Sequence, residues 1–155
     1  MLPSETRESV MDENEFRNAY RDVNERPCPF GKAVLTGCAQ CSRAQKVLIA
    51  EREAITCLSP SAHTRCVALI PAWREKALFA LRLTHVADKL PHGKEIKVQC
   101  GGLAGLAQAM AEAAPVSDIH ALLEHALTRF GDADHLPYTE MMKSVVSYRP
   151  RRKNC

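Results

Sequence analysis

Apolar residues recur along this chain mostly three or four positions apart, the period of a helix with one buried face. The clearest case is Ile119, Leu122, Leu123, Ala126, Leu127 and Phe130, preceded by the capping pair Ser117-Asp118 and stopped by Gly131. A longer run from Ser61 to Asp88 carries Cys66, Leu69, Ile70, Trp73, Ala77, Leu78, Leu81 and His85 at similar spacing. Ser59-Pro60 gives it a start signal, and Pro71 is expected to kink or divide it. Trp73, Phe79 and Leu81 read as core. Val47, Leu48, Ala54 and Ile55 suggest a further helix from Ala44 to about Thr56, with Ser42 as its cap. A small-residue helix is expected from Leu103 to Ala113, ended by Pro115, and a last short one between Pro137 and Tyr148. Leu90-Pro91-His92-Gly93 reads as a turn. Glu95 to Cys100 alternates like a strand but has no second strand to pair with, so it reads as extended loop.

These elements predict an all-α fold: a small helical bundle of five or six helices with cysteine-bearing loops. Residues 1–11 are expected to be a flexible N-terminus, although Asp12 to Asn24 can form a short helix with Phe16 and Tyr20 on one face. Residues 12–148 form one helical domain, whose cysteine-rich half spans 28–100. Residues 149–155 are a basic tail. Its simplest reading is a solvated end, and its sharper one a docking arm for an acidic partner or nucleic acid. A length of 155 residues suits one domain able to build a core without disulfides.

Composition narrows the function classes. Charged residues are 25% and net charge is +3, which does not single out nucleic acid or a membrane surface, and 5% aromatic content argues against a base-stacking platform. The N-terminal stretch lacks the basic and apolar regions of a signal peptide, and no apolar run is long enough to span a bilayer. The expectation is a cytoplasmic protein without membrane insertion, in a compartment that keeps thiols reduced.

Seven cysteines are the unusual feature. Their spacing is Cys28-x9-Cys38-x2-Cys41-x15-Cys57-x8-Cys66-x33-Cys100, with Cys155 apart at the end. In a reducing compartment such a set points to metal binding or redox chemistry. Cys38 and Cys41 form a C-x2-C pair able to place two thiolates on one centre. Cys28 and Cys57 lie beside prolines or helix boundaries, where the chain can bend toward the same point. The expected ligands are therefore Cys28, Cys38, Cys41 and Cys57, with Cys66 and Cys100 as alternates and Cys155 outside the set. Gly101 and Gly102 are candidate cofactor-binding positions, because a backbone without side chains can approach a cofactor closely. Lys32, Arg43 and Arg65, with the backbone near Gly37, are candidates to offset cluster charge.

Three chemistries fit. The first is an iron–sulfur cluster, one [4Fe–4S], passing single electrons as an accessory to a larger redox enzyme or complex, with a redox partner protein. The second is structural zinc in a helical protein-interaction module, with Cys57 and either Cys66 or His63 completing the site. The third is a thiol redox sensor using a reversible Cys38–Cys41 disulfide. Inert buried thiols are the plain alternative, and suit Cys66 best. His120 and His125, five apart on one helix, are poor joint ligands. No acid, base or substrate constellation accompanies the cysteines, which favours an electron carrier over an enzyme. The Gly101–Gly105 stretch lacks the phosphate-loop pattern and reads most simply as close helix packing.

Overall fold

The structure is a computed structural model that describes residues 24–83 and 90–150. In chain order these form α1 (Gly31–Thr36), β1 (Ala44–Ile49), β2 (Arg52–Cys57), α2 (Pro60–Ala80) and α3 (His92–Ile96). A π-helical turn (Lys97–Gly101) runs from α3 into α4 (Gly102–Ala109). Then come α5 (Ile119–Phe130), a 3-10 turn (Ala133–His135) and α6 (Tyr138–Ser147). The expected helix between Asp12 and Asn24 and the tail beyond Pro150 lie outside the described residues, as does Cys155.

Helices dominate, but the fold is not purely α. The segment expected as a helix from Ala44 is an antiparallel hairpin, with Ala44 opposite Cys57 and Ile49 opposite Arg52. Its two-residue turn holds Ala50 at φ 51° and Glu51 at φ 71°. Two successive left-handed residues give a turn whose twist matches that of the strands. The usual Asn-Gly signature is missing, so apolar spacing alone pointed the wrong way. Tertiary burial decides the matter: Ile49, Ala54, Ile55 and Cys57 are buried, and Lys46 pairs with Glu53 across the strands at 3.4 Å.

A second correction concerns Glu95 to Cys100, which is helical rather than extended. Gln99 Nε2 donates to Glu95 Oε2 one turn away at 2.7 Å. Arg74 grips the same carboxylate with both Nε and Nη2, at 3.0 and 2.9 Å. The Gln99 side-chain Oε1 accepts from Ala33 N of α1 at 2.9 Å. This network ties α1, α2 and α3 together through side chains that are themselves buried, Glu95 and Gln99.

The remaining helices start where the pattern places them, but α2 ends at Ala80 rather than running to Asp88, with Arg82 at φ 57°, and α4 ends at Ala109 rather than Ala113, with Ala111 at φ 57°. Ser59 caps α2, its hydroxyl accepting from Ala62 N at 3.2 Å. Pro71 does not divide α2: it lies on the exposed face, where the missing N–H faces solvent, while Leu69, Ile70, Trp73 and Ala77 are buried around it. Phe79, expected in the core, is 87% exposed. Asp118 caps α5 and Gly131, at φ 101°, ends it.

The core lies among α2, the π turn, α4, α5 and α6, with Trp73, Leu103, Leu106, Leu122, Leu123 and Met141 all buried. Phe30 packs edge-on to Trp73, with ring centroids 5.1 Å apart. That contact anchors the loop before α1, and the cysteine it carries, to the centre of the molecule.

Candidate metal centre

Four cysteines arrive at one place from four separate stretches of chain. Cys28, Cys41, Cys57 and Cys66, all free thiols, line one small cavity together with Arg43, Arg65 and other residues. The cavity is about 10 Å³, room for one water-sized sphere. Three of the four expected ligands, Cys28, Cys41 and Cys57, are thus joined by Cys66 rather than by Cys38.

Each loop is held by backbone bonds. Cys28 N donates to Ile55 O at 3.0 Å, adding the Pro27–Cys28 stretch to the edge of β2, and Cys28 O accepts from Gly31 N to close a turn. Cys57 ends β2; its N donates to Arg26 O at 2.8 Å, while Arg26 Nε donates back to Cys57 O at 2.9 Å. Cys41 sits in a loop laid against the start of α5. Ile119 N donates to Gln40 O at 2.7 Å, and Ser42 N donates to the capping Asp118 Oδ1 at 2.9 Å. Ser42, expected to cap a helix of its own, is instead held by another helix's cap. Burial acts to raise the Asp118 carboxyl, but the hydrogen bonds from Ser42 and from the first turn of α5 outweigh it, and the carboxyl sits below its ordinary range. Cys66 lies on the buried face of α2, two turns from its cap.

The surroundings are cationic on one side. Arg65 Nη2 lies 3.6 Å from Cys66 Sγ and donates to His120 Nδ1 at 3.3 Å. A guanidinium cannot accept, so His120 Nδ1 is the acceptor and its proton sits on Nε2, 3.4 Å from Glu124. Arg65 Nε is buried with no hydrogen-bond partner among the described residues. A buried, unpartnered guanidinium nitrogen at the wall of a thiol-lined cavity is a donor matched to an anion. His63 Nε2 lies 3.1 Å from Pro27 O, so it braces the Cys28 loop. Arg43 lines the cavity as expected. Lys32 does not; its amine lies 2.7 Å from His92 Nδ1 on another face.

Burial holds the Cys28 and Cys66 thiols in their neutral form. Burial pushes the Cys28 thiol up to about 12, with small further contributions from Cys66, Cys41 and Cys57. Burial also raises Cys66, partly offset by the Arg65 contact. Cys28 and Cys66 both feel Cys41 and Cys57 electrostatically, a second sign that the sulfurs lie near one another. As they stand, no three His, Cys, Asp or Glu side chains among the described residues close on a single-ion site.

The structure sends the other two cysteines elsewhere. Cys38 and Cys100 form a disulfide, with Cα atoms 6.0 Å apart. Cys38 is therefore neither a fourth thiolate nor a disulfide partner of Cys41, as the sensor reading required. The two residues of a C-x2-C pair point to different sites because Ala39 and Gln40 between them pair with Val116, turning the chain. Gly101 and Gly102 do not approach the cysteine cavity. A Cβ on Gly101 would lie 2.6 Å from Val145 Cα of α6, and one on Gly102 would lie 2.8 Å from the Trp73 ring. Their lack of side chains serves close helix packing, the plainer of the two readings. Cys66, an alternate in the sequence reading, is the fourth free thiol at this cavity. An apolar helix face suits an inert thiol, and nothing local distinguishes that from a ligand.

Comparison with known proteins finds no matching family model, no similar curated protein and no similar solved structure.

Proposed function

We propose that Cys28, Cys41, Cys57 and Cys66 hold an iron–sulfur cluster, one [4Fe–4S], and that the protein passes single electrons to a redox partner as an accessory to a larger enzyme or complex. One observation carries the reading: four free thiols from separate elements share one enclosed cavity whose wall includes a buried, unpartnered Arg65 Nε. All-sulfur ligation suits such a cluster, and its net negative charge supplies a partner for Arg65 Nε, which has none among the described residues. Cys28 and Cys41 are half-buried and leave the centre near the surface, where electrons can pass.

Zinc is the second reading. A tetrahedral zinc ion is held by four sulfurs at about 2.3 Å. The cavity, about 10 Å³, is nearer the size of a single ion, so a four-iron cluster requires the four loops to open around it, and metal analysis separates the two readings.

The test is metal and acid-labile sulfide analysis of anaerobically purified protein, with absorption and electron paramagnetic resonance spectra. About four iron and four sulfide per chain are expected for a [4Fe–4S] centre. Cys28→Ser, Cys41→Ser, Cys57→Ser and Cys66→Ser should each lose the centre, while Cys38→Ser and Cys155→Ser keep it. One zinc per chain in colourless protein selects the second reading. Metal-free protein from anaerobic purification, or full metal content in all four variants, overturns both.

A further inference from the structure

On the other side of the Cys38 loop, the Cys38–Cys100 disulfide forms part of the wall of an open cleft of about 450 Å³. The cleft is lined also by Thr36, Val116, Tyr148 and Arg149. Its volume is that of a small-molecule site. Cys100 lies in the π-helical turn, a rare interruption that recurs where helices carry function.

We propose that this cleft is a thiol–disulfide exchange site for a low-molecular-weight thiol bearing a carboxylate. Three features define it. The two sulfurs are unequal: Cys38 is half-buried, whereas Cys100 is 2% exposed, so an incoming thiolate reaches Cys38. The Thr36 hydroxyl lies 3.1 Å from Ala33 O and 3.6 Å from Cys100 Sγ. Rotation of that hydroxyl moves its single proton from the carbonyl toward the sulfur that departs. Arg149 places a guanidinium on the lining, where it pairs with the carboxylate and orients the thiol.

The exchange balances with the thiol as reductant. A substrate thiolate attacks Cys38 Sγ; the Cys38–Cys100 bond breaks, and its electron pair leaves on Cys100 Sγ, which takes up a proton. The product is a mixed disulfide at Cys38. A second thiolate attacks the substrate sulfur of that mixed disulfide and releases Cys38. Two thiols become one small disulfide, and the protein disulfide becomes a dithiol. The reverse sequence reoxidises the protein. This site stands independently of the four-thiol cavity and needs no metal.

The experiment uses the full chain and glutathione. Reduced glutathione is expected to open the disulfide of the wild-type protein under conditions where circular dichroism shows the native fold. Cys100→Ser, given oxidised glutathione, is expected to form a mixed disulfide mapped to Cys38 by peptide mass spectrometry. Arg149→Gln should slow opening by glutathione up to about fivefold, the size of an exposed ion pair, and leave opening by uncharged 2-mercaptoethanol unchanged. A disulfide that opens only in denaturant, a Cys100→Ser protein unmodified at Cys38, or equal slowing with both thiols overturns the proposal. If Cys100→Ser fails to fold, the wild-type rates with the two thiols and their dependence on Arg149 decide it.

Discussion

Arg65 shows how a single residue can report on a site. Its guanidinium reaches a sulfur, a histidine nitrogen and a cavity wall, and keeps one buried donor unused. Arg65→Gln should retain the fold and weaken the loaded centre, with lower iron content and a more negative reduction potential in a spectroelectrochemical titration. An unchanged potential and content would remove Arg65 from the centre's surroundings. Cys28 makes a pH prediction. Its thiol ionises near 12 in the folded chain, above its ordinary 9, so the native state retains a proton that the unfolded state loses. Stability of metal-free protein is therefore unaffected below pH 9 and falls as pH rises from there toward 12. Denaturant melts across that range check it, and Cys28→Ala should flatten the fall. At the surface, the hydrogen bond and charge of Asp132 raise the His135 pKa, while His135 in turn lowers that of Asp132. Their contribution is present between the two unfolded values, and is lost on acidification through Asp132 and on alkalinisation through His135. In a proton NMR titration Asp132→Asn should bring His135 back toward its ordinary midpoint.

At the scale of elements, α4 and α6 pack at backbone contact. A Cβ on Gly105 would lie 2.7 Å from Met141 Cα, and one on Gly101 would meet Val145. Gly101→Ala and Gly105→Ala should each cost about 1–3 kcal/mol as α6 is forced outward, measured by urea denaturation. The hairpin turn offers the opposite experiment. Ala50 and Glu51 both hold left-handed conformations that L-residues disfavour by roughly 1–2 kcal/mol each. The double change Ala50→Asn, Glu51→Gly supplies the favoured turn pair and should raise Tm without altering the fold. These cases also show where pattern reading succeeds. Capped, amphipathic α5 was legible because Ser117-Asp118, the 3–4 spacing and Gly131 all agree. The hairpin was not, because Val47, Leu48, Ala54 and Ile55 satisfy a helical count and no turn residue contradicts it. The Glu95–Cys100 helix was missed because its buried polar pair, Glu95 and Gln99, is explained only by Arg74 and Ala33, distant in sequence.

For the whole molecule, the four thiols join the Pro27–Phe30 turn, the loop before the hairpin, the end of β2 and helix α2. A centre held by all four crosslinks elements that otherwise meet mainly through backbone bonds and the Phe30–Trp73 contact. Loading should therefore raise Tm and protect Cys28 to Cys66 amides from hydrogen exchange, and removal by a chelator should reverse both. Glu95→Ala tests the opposite side of the fold: it strands Arg74 and Gln99 and should cost about 1–3 kcal/mol, leaving metal content intact.

The local code of this chain determined its best-capped helices and the burial of Trp73, because those depend on neighbours three or four residues away. Which cysteines meet was decided only in three dimensions. Val116 pairs with the backbone at Ala39 and Gln40 and so turns Cys38 toward Cys100, while the Ser59 cap and the buried face of α2 carry Cys66 to the others. Spacing along a chain limits how far apart two sulfurs can be. It does not say toward which neighbour each one points, since that direction is set by contacts with residues dozens of positions away.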